Sequence, residues 1–487
     1  MRLFRRLCFY VFAVLYLVMC PLTILYALGY VLRPGSEHGM VKTGLISVTT
    51  TPPGATIYVG KRRYTKRTPT VLRDLLPGEY PIAVILKHYK PWIRTLRVEP
   101  EKATALEKLV LLPTSWTPQE ILAGAWKELT LIPESHFLLM SRGPTAADVT
   151  VYDVKAEEAW PLLPFGSPWG RAVVVSQVVM RESPVVLLRV KAQDGEHVLW
   201  IELKEDVNLI EELTTLFPEL PHRVEWDPLD RHHLFVFQHG SLSRLDLVSK
   251  SVVPQFVDHL RGFGLLNRSI YGLTEEGVLQ RYNRHGKNPD PMLDDSTIEP
   301  ELFSGHGPFQ ILAFSPHAIF LLGADGALFM NQPPYQLVDH GVRGLAWNPH
   351  HERLLLWQSD RLGVVDLSTD LIKGLTADIE ATVRWVFIQG EHLEQACWVA
   401  EGSHILFRDQ NHAFLLQLEP NGPSSISSLV EVKRNSDIAY VDDSGMLYYL
   451  ERSTGTVLAL PLFPKRELRL PFSEPRDPSV THSSGSP

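Results

Sequence analysis

Three rhythms of apolar and polar positions follow one another along the chain. The first is an unbroken apolar run, with no charged residue from Leu7 to Leu32. A helix of that length rises about 39 Å, more than the ~30 Å hydrocarbon core of a bilayer. Fourteen of its residues are Leu, Ile, Val or Phe, each favouring insertion by roughly 0.3 to 0.6 kcal/mol with no charge to oppose them. The run exceeds the ~7–15 residues of a signal-peptide core, so the pattern predicts an uncleaved transmembrane signal anchor over 7–32. Leu17-Val18-Met19-Cys20-Pro21 is a poor lipoprotein box, because Met19 stands where a small residue belongs and the run continues past the cysteine. Arg2, Arg5 and Arg6 precede the run and only Arg33 closely follows it. The positive-inside bias then predicts a cytoplasmic N-terminus over 1–6 and a single-pass protein of the cell membrane whose bulk is extracytoplasmic, periplasmic or at the cell surface.

The second rhythm has period two and fills 43–113. Pro53-Gly54-Ala55 forms a tight turn and opens a strand with Ile57 and Val59 on one face and Thr56 and Tyr58 on the other. Leu76-Pro77-Gly78-Glu79-Tyr80 repeats the turn chemistry and opens a strand with Tyr80, Ile82, Val84 and Leu86 on one side. Between them lie a basic hairpin tip and Thr68-Pro69; after them come the step His88-Tyr89-Lys90-Pro91-Trp92 and closing strands near Leu96-Val98 and Leu109-Leu112. In this order the residues resemble the PEGA domain, a small extracytoplasmic β-sandwich found mainly in bacterial surface proteins. The resemblance covers about a seventh of the chain, carried by Pro53, Gly54, Ala55, Pro77, Gly78, Glu79 and Tyr80, and implies binding or spacing rather than catalysis. The family usually places glycine before the aromatic of the later step, where this chain has His88.

The third rhythm is a repeat. Val224-Glu225-Trp226-Asp227-Pro228, Leu312-Ala313-Phe314-Ser315-Pro316 and Leu345-Ala346-Trp347-Asn348-Pro349 share an apolar strand ending in an aromatic, a polar residue and proline. A second apolar strand follows each, as in 234–237, 319–322 and 354–357, and then a third. Weaker units centre on Ile132, Val179, Leu266, Trp385 and Tyr440, so that eight anchors recur about every 44 residues, the period of β-propeller blades. The aromatic-polar-proline element resembles the degenerate repeats of TolB-like and WD40-like propellers. The fold class expected is therefore all-β: a transmembrane helix, a small PEGA-like sandwich and a seven- or eight-bladed propeller over 131–472.

Two helices are expected between strands. Thr117-Pro118 reads as an N-cap with proline at the first helical position, opening a helix to about Leu129 within a linker over 114–130; a second is expected over 205–216. The Pro/Ser-rich tail 473–487 is expected to be disordered.

Composition narrows the function. Apolar residues make 45% of the chain and a net charge of −8 over 487 residues argues against nucleic acid as a partner. Cys8 and Cys20 lie in the apolar run, leaving Cys397 as a lone thiol that can form neither an internal disulfide nor a metal cluster. Neither a P-loop, a GxSxG elbow, an HExxH pair nor a kinase HRD or DFG set occurs. His232 and His233 fall on opposite faces of a strand and cannot easily share an ion. His222, His239, His350, His351, the turn Asp442-Asp443-Ser444-Gly445 and the acidic stretch Asp294, Asp295, Glu299 and Glu301 carry no convincing ligand spacing. No cofactor or metal is expected. Lys61, Arg62, Arg63, Lys66 and Arg67 are either a solvated tip that keeps an edge from aggregating or a contact for lipid headgroups or acidic envelope polymer. The expectation is a non-catalytic envelope protein binding protein or glycan. A propeller-based glycan lyase or hydrolase, and a signalling or assembly subunit acting with a membrane partner, are the alternatives.

Overall fold

A computed structural model describes residues 2–27, 30–32, 40–133, 135–179, 184–204, 208–217, 223–287, 290–291, 305–315, 318–330, 336–367, 383–418 and 424–463. They divide into two compact units, 1–117 with 461–487, and 118–460.

The first unit begins with the helix Arg2–Ala27, 26 residues long with Pro21 inside it. It starts and stops earlier than the 7–32 expected: Tyr30–Leu32 is a strand, paired antiparallel with Met40–Lys42. A Tyr-Val-Leu triplet suits a strand, and a nearby partner takes it out of the helix. Among residues whose side chains are described, no helix long and apolar enough to cross a membrane is found; within this helix the longest such stretch is 9–21.

Two sheets follow. Thr70–Leu75, Gly44–Thr51 and Ala103–Val110 form one, and Arg62–Arg67, Thr56–Val59, Gly78–Ile85 and Trp92–Val98 the other, each in that spatial order. Period-two alternation delivers one face of each sheet to a common core, where Ile46, Val48, Ala55, Ile57, Leu72, Ile82 and Val84 are fully buried. Tyr80 and Leu86 pack on that core with Val59, as their alternation predicts.

The second unit contains, among the described residues, eight four-stranded antiparallel sheets in chain order. Sheets 1 to 7 span 128–161, 173–212, 223–257, 260–291, 309–339, 344–387 and 393–431, and each is a simple meander. Sheet 8 takes three strands from 439–461 and its fourth, outer strand from Gln119–Leu122, more than 300 residues earlier, which pairs with Val457–Pro461. Consecutive sheets share apolar clusters: Leu139 and Val151 meet Val186 and Leu188, Trp200 meets Leu234, and Phe235 meets Phe263. The series continues through Tyr271 with Ile311, Phe320 with Leu354 and Leu355 with Phe407. The Gln395 amide bonds both backbone groups of Ile438 at 2.9 Å, joining sheets 7 and 8. Leu138 and Tyr152 of sheet 1 pack on Tyr448 and Leu450 of sheet 8, so the succession closes on itself. First strands of neighbouring sheets run close together: a Cβ on Gly264 would lie 2.3 Å from the Ile311 carbonyl oxygen, so only glycine fits.

Neither expected helix forms. Gln119–Leu122 and Glu128–Leu131 are strands, because Ile121 and Leu122 pack in the cluster between sheets 8 and 1, and tertiary pairing overrides a local helix-start signal. Leu209–Glu212 is the outer strand of sheet 2, followed by one 3-10 turn at Thr214–Leu216; residues 205–207 lie outside the described ones. Seven repeat anchors fall on the first strand of a sheet or directly after it. Trp385 instead lies on the last strand of sheet 6, and Trp398 in Leu393–Val399 holds the corresponding place in sheet 7.

Candidate binding surfaces

The two turn signals singled out in the sequence lie at opposite ends of the paired strands Thr56–Val59 and Gly78–Ile85, where Thr56 stands opposite Ile85 and Val59 opposite Ile82, and each acts as a local fold determinant. Gly54, at φ +90°, gives its N–H to the Thr68 carbonyl at 2.8 Å, and the Thr68 N–H bonds the Ala55 carbonyl at 3.0 Å. The Thr68 hydroxyl accepts the Ala55 N–H at 2.9 Å and lies 2.5 Å from the Thr50 hydroxyl. Ala55 is fully buried there and Pro53 exposed beside it, which explains why a small residue follows Pro-Gly and why Thr68-Pro69 accompanies it. At the second signal Pro77, Gly78 and Glu79 are exposed, and the Tyr80 hydroxyl donates to the Leu76 carbonyl across the turn at 2.9 Å. His88 stands where the family prefers glycine and adopts φ +69°; its carbonyl accepts the Thr114 N–H at 3.0 Å and hydroxyl at 3.1 Å.

Lys61, Arg62, Arg63, Lys66 and Arg67 lie at the start of and along the edge strand Arg62–Arg67, all exposed. No side-chain hydrogen bond or ion pair joins any of the five to a described residue. Arg63 stands opposite Tyr58 and Arg67 opposite Thr56, on the face away from the core. The row continues from Tyr58 through Ala83 to Ile93, and Ile93 is 57% exposed.

The remaining sequence candidates disperse. His233 lies among carboxylates of its own sheet, Nδ1 3.0 Å from Asp230 Oδ2 and Nε2 3.8 Å from Asp246 Oδ2. Burial pushes the Asp230 carboxyl up, but the His232 N–H bond and the charges of His233, His232 and Arg284 outweigh it and leave it below its usual value. His350 gives its N–H to Asn348 Oδ1 at 3.0 Å, while His351 lies beside Gly402. Asp442 to Gly445 form a turn between the strands Ala439–Val441 and Met446–Leu450. His222, Asp294, Asp295, Glu299 and Glu301 lie outside the described residues. Among the described residues no group of three or more His, Cys, Asp or Glu could hold a metal ion. Burial pushes the Cys397 thiol up to about 12, so it stays protonated and inert although part of the residue's surface is open.

One feature had no signal in the sequence. A cavity of about 910 Å³ opens where the first strands of sheets 3, 4 and 5 begin. Phe237, Leu260, Phe309 and Leu322 make its apolar floor, with Gly240, Gly305, Gly307 and Gly323 in its walls and Arg223, His239 and Arg261 at its rim. Arg223 Nε donates to Glu225 at 2.8 Å and its guanidinium lies 4.8 Å over the Phe263 ring. Beside the cavity His306 Nδ1 lies 2.6 Å from Asp325 Oδ2, and this bond holds the carboxyl below its usual value. Glycine positions cannot be read as cavity walls without the register that brings three sheets together.

No curated protein matches the chain. Among solved structures, the β-propeller domain of Myceliophteria thermophila Cps50 (Swd1) is 12% identical, with a TM-score of 0.40 over 72% of this chain and 100% of that one. The computationally designed Ika8 protein is 12% identical, with a TM-score of 0.43 over 71% and 99%. Kluyveromyces lactis Hsv2 is 10% identical, with a TM-score of 0.38 over 63% and 98%. Residues 43–111 match the PEGA domain family.

Proposed function

We propose that this chain is a non-catalytic bacterial envelope protein held by a single-pass anchor within the helix Arg2–Ala27. Residues 43–111 act as a PEGA-type β-sandwich that stands next to the membrane, and the eight sheets are the blades of an eight-bladed propeller that binds an envelope protein or glycan. The observation that carries the binding role is the cavity of about 910 Å³ at the mouth shared by sheets 3, 4 and 5. An apolar floor with a few polar groups at its rim is the usual chemistry of a ligand site, and a closed cycle of sheets holds those groups rigidly.

Two measurements test the reading. Protease added to intact spheroplasts is expected to digest 118–460; protection of that region refutes the envelope placement. The full chain in detergent is expected to bind soluble peptidoglycan fragments or to retain an envelope protein. Ala324→Trp, a bulky side chain at an exposed lining position, is expected to abolish that binding. Equal binding by both proteins removes the cavity from the function.

A further inference from the structure

Charge is divided unevenly along this chain. Residues 43–111 hold twelve Lys and Arg against five Asp and Glu, whereas 112–487 hold thirty against forty-nine. A net of +7 on 69 residues therefore precedes a net of −19 on 112–487, and with +4 on 1–42 the overall −8 conceals the contrast. Five of the twelve cations are Lys61, Arg62, Arg63, Lys66 and Arg67, on and beside one edge strand.

Charged side chains on an edge strand blunt it against aggregation, and this strand places its charges on both of its sides. Its register sets Arg63 and Arg67 over the outer face of the sheet, in rows with Tyr58 and Thr56, while Arg62 and Lys66 alternate to the other side around the half-buried Tyr64. Successive cations on one side are about 13 Å apart, at ~3.3 Å per residue. None is joined to a described carboxylate, so their charge faces solvent.

We infer that the edge Lys61–Arg67 is a second binding site, for a linear polyanion with repeating phosphate groups. The arrangement is extended, with no enclosed cradle that would desolvate a single anion. The strand itself offers no exposed aromatic anchor of the kind that dominates protein interfaces. A chain of regularly spaced phosphates can engage cations on both sides of the strand, and multiple contacts release counterions in proportion to their number. The site shares no residue with the cavity of sheets 3 to 5 and stands whether or not that cavity binds.

The test uses the full chain in detergent and inorganic polyphosphate as the probe. With about five contacts and a slope near 0.7 per contact, raising salt from ~50 to ~200 mM should weaken binding roughly 100-fold. A variant with Lys61, Arg62, Arg63, Lys66 and Arg67 all changed to Gln should lose at least ~30-fold in affinity at low salt, with its melting temperature unchanged because all five side chains are exposed. A control changing Lys127, Lys155, Lys191, Lys204 and Lys250 to Gln removes the same charge elsewhere and should bind as the unmodified protein does. Equal loss in both variants reduces the effect to net charge and overturns the site. So does competition by monophosphate at equal phosphate concentration, or binding to vesicles of anionic phosphatidylglycerol without binding to polyphosphate. Ala324→Trp should leave polyphosphate binding intact, which separates this outcome from failure of the cavity.

Discussion

The rings of Phe314 and Trp347 stack with their centroids 5.2 Å apart and their planes 9° from parallel. The two residues hold the same repeat position in sheets 5 and 6, each near the end of a first strand. The aromatic of the repeat is thus a wedge between neighbouring sheets, and the series continues in sheet 7, where Trp398 Nε1 donates to the Ala346 carbonyl of sheet 6 at 3.0 Å. Trp347→Ala should remove both packing area and the stack, costing about 3 kcal/mol. Phe314→Leu, Trp347→Leu and the double variant form a cycle whose coupling should be about 1 kcal/mol. Denaturant midpoints measure it, and additive effects would show that the stack contributes nothing.

Thr68 has a comparable role in the first unit. Its hydroxyl is the partner of the buried Ala55 N–H, and the residue itself is buried. Thr68→Val keeps the shape but leaves that N–H unpaired, so it should cost about 1–3 kcal/mol. Thr68→Ser keeps the bond and should cost less. If the Val variant melts with the Ser variant, the hydroxyl is not what holds the Pro-Gly turn in place.

The sequence was legible where a local pattern and the tertiary partner demand the same thing. Alternation at Ile57, Val59, Ile82 and Val84 needs only one buried face per sheet, and these residues are in the core. The polar residue after two of the repeat aromatics has a local duty: Asp227 Oδ1 accepts the Leu229 N–H at 2.9 Å and Asn348 Oδ1 the His350 N–H, so that element recurs visibly. What failed depended on distant partners. Nothing in Gln119 to Leu122 announces a partner more than 300 residues away, and a cap-like Thr117-Pro118 suggested a helix instead. Trp385 drew the repeat off register because neither it nor Trp398 is followed by the polar residue and proline that mark Trp226, Phe314 and Trp347. The cavity was invisible for the same reason, since its floor comes from three sheets.

Ring closure by Gln119–Leu122 makes a direct prediction. The strand pairs with Val457 to Ala459 and buries Ile121 and Leu122 partly against sheets 8 and 1. Deleting 119–122 should cost about 3 kcal/mol from lost burial and strand pairing. It should also leave the Val457–Pro461 edge open, a template for pairing between copies. Size-exclusion chromatography of the deletion variant should show dimers or larger species; a monomer with an unchanged melting temperature would mean the strand does not close the ring.

Two histidines should oppose each other in the pH dependence of stability. His404 is buried, with Nδ1 2.8 Å from Ser403 Oγ, and burial lowers its pKa from 6.5 to about 4. The unfolded chain therefore takes up a proton that the folded one refuses between those values. Stability is full above pH 6.5 and falls as the pH drops toward 4, by about 3 kcal/mol in all. His197 is shifted the other way: its bond to Glu212 at 2.8 Å and that to Asp194 at 3.2 Å raise its pKa against the opposing effect of burial. Its contribution is full below 6.5 and is lost as the pH rises through the raised value. His404→Gln should flatten the acid limb of a melting-temperature profile between pH 6.5 and 4, and His197→Gln should flatten a decline on the alkaline side of 6.5. If His404→Gln retains the full acid loss, other groups drive it and the buried imidazole is not the acid-sensitive element of sheet 7.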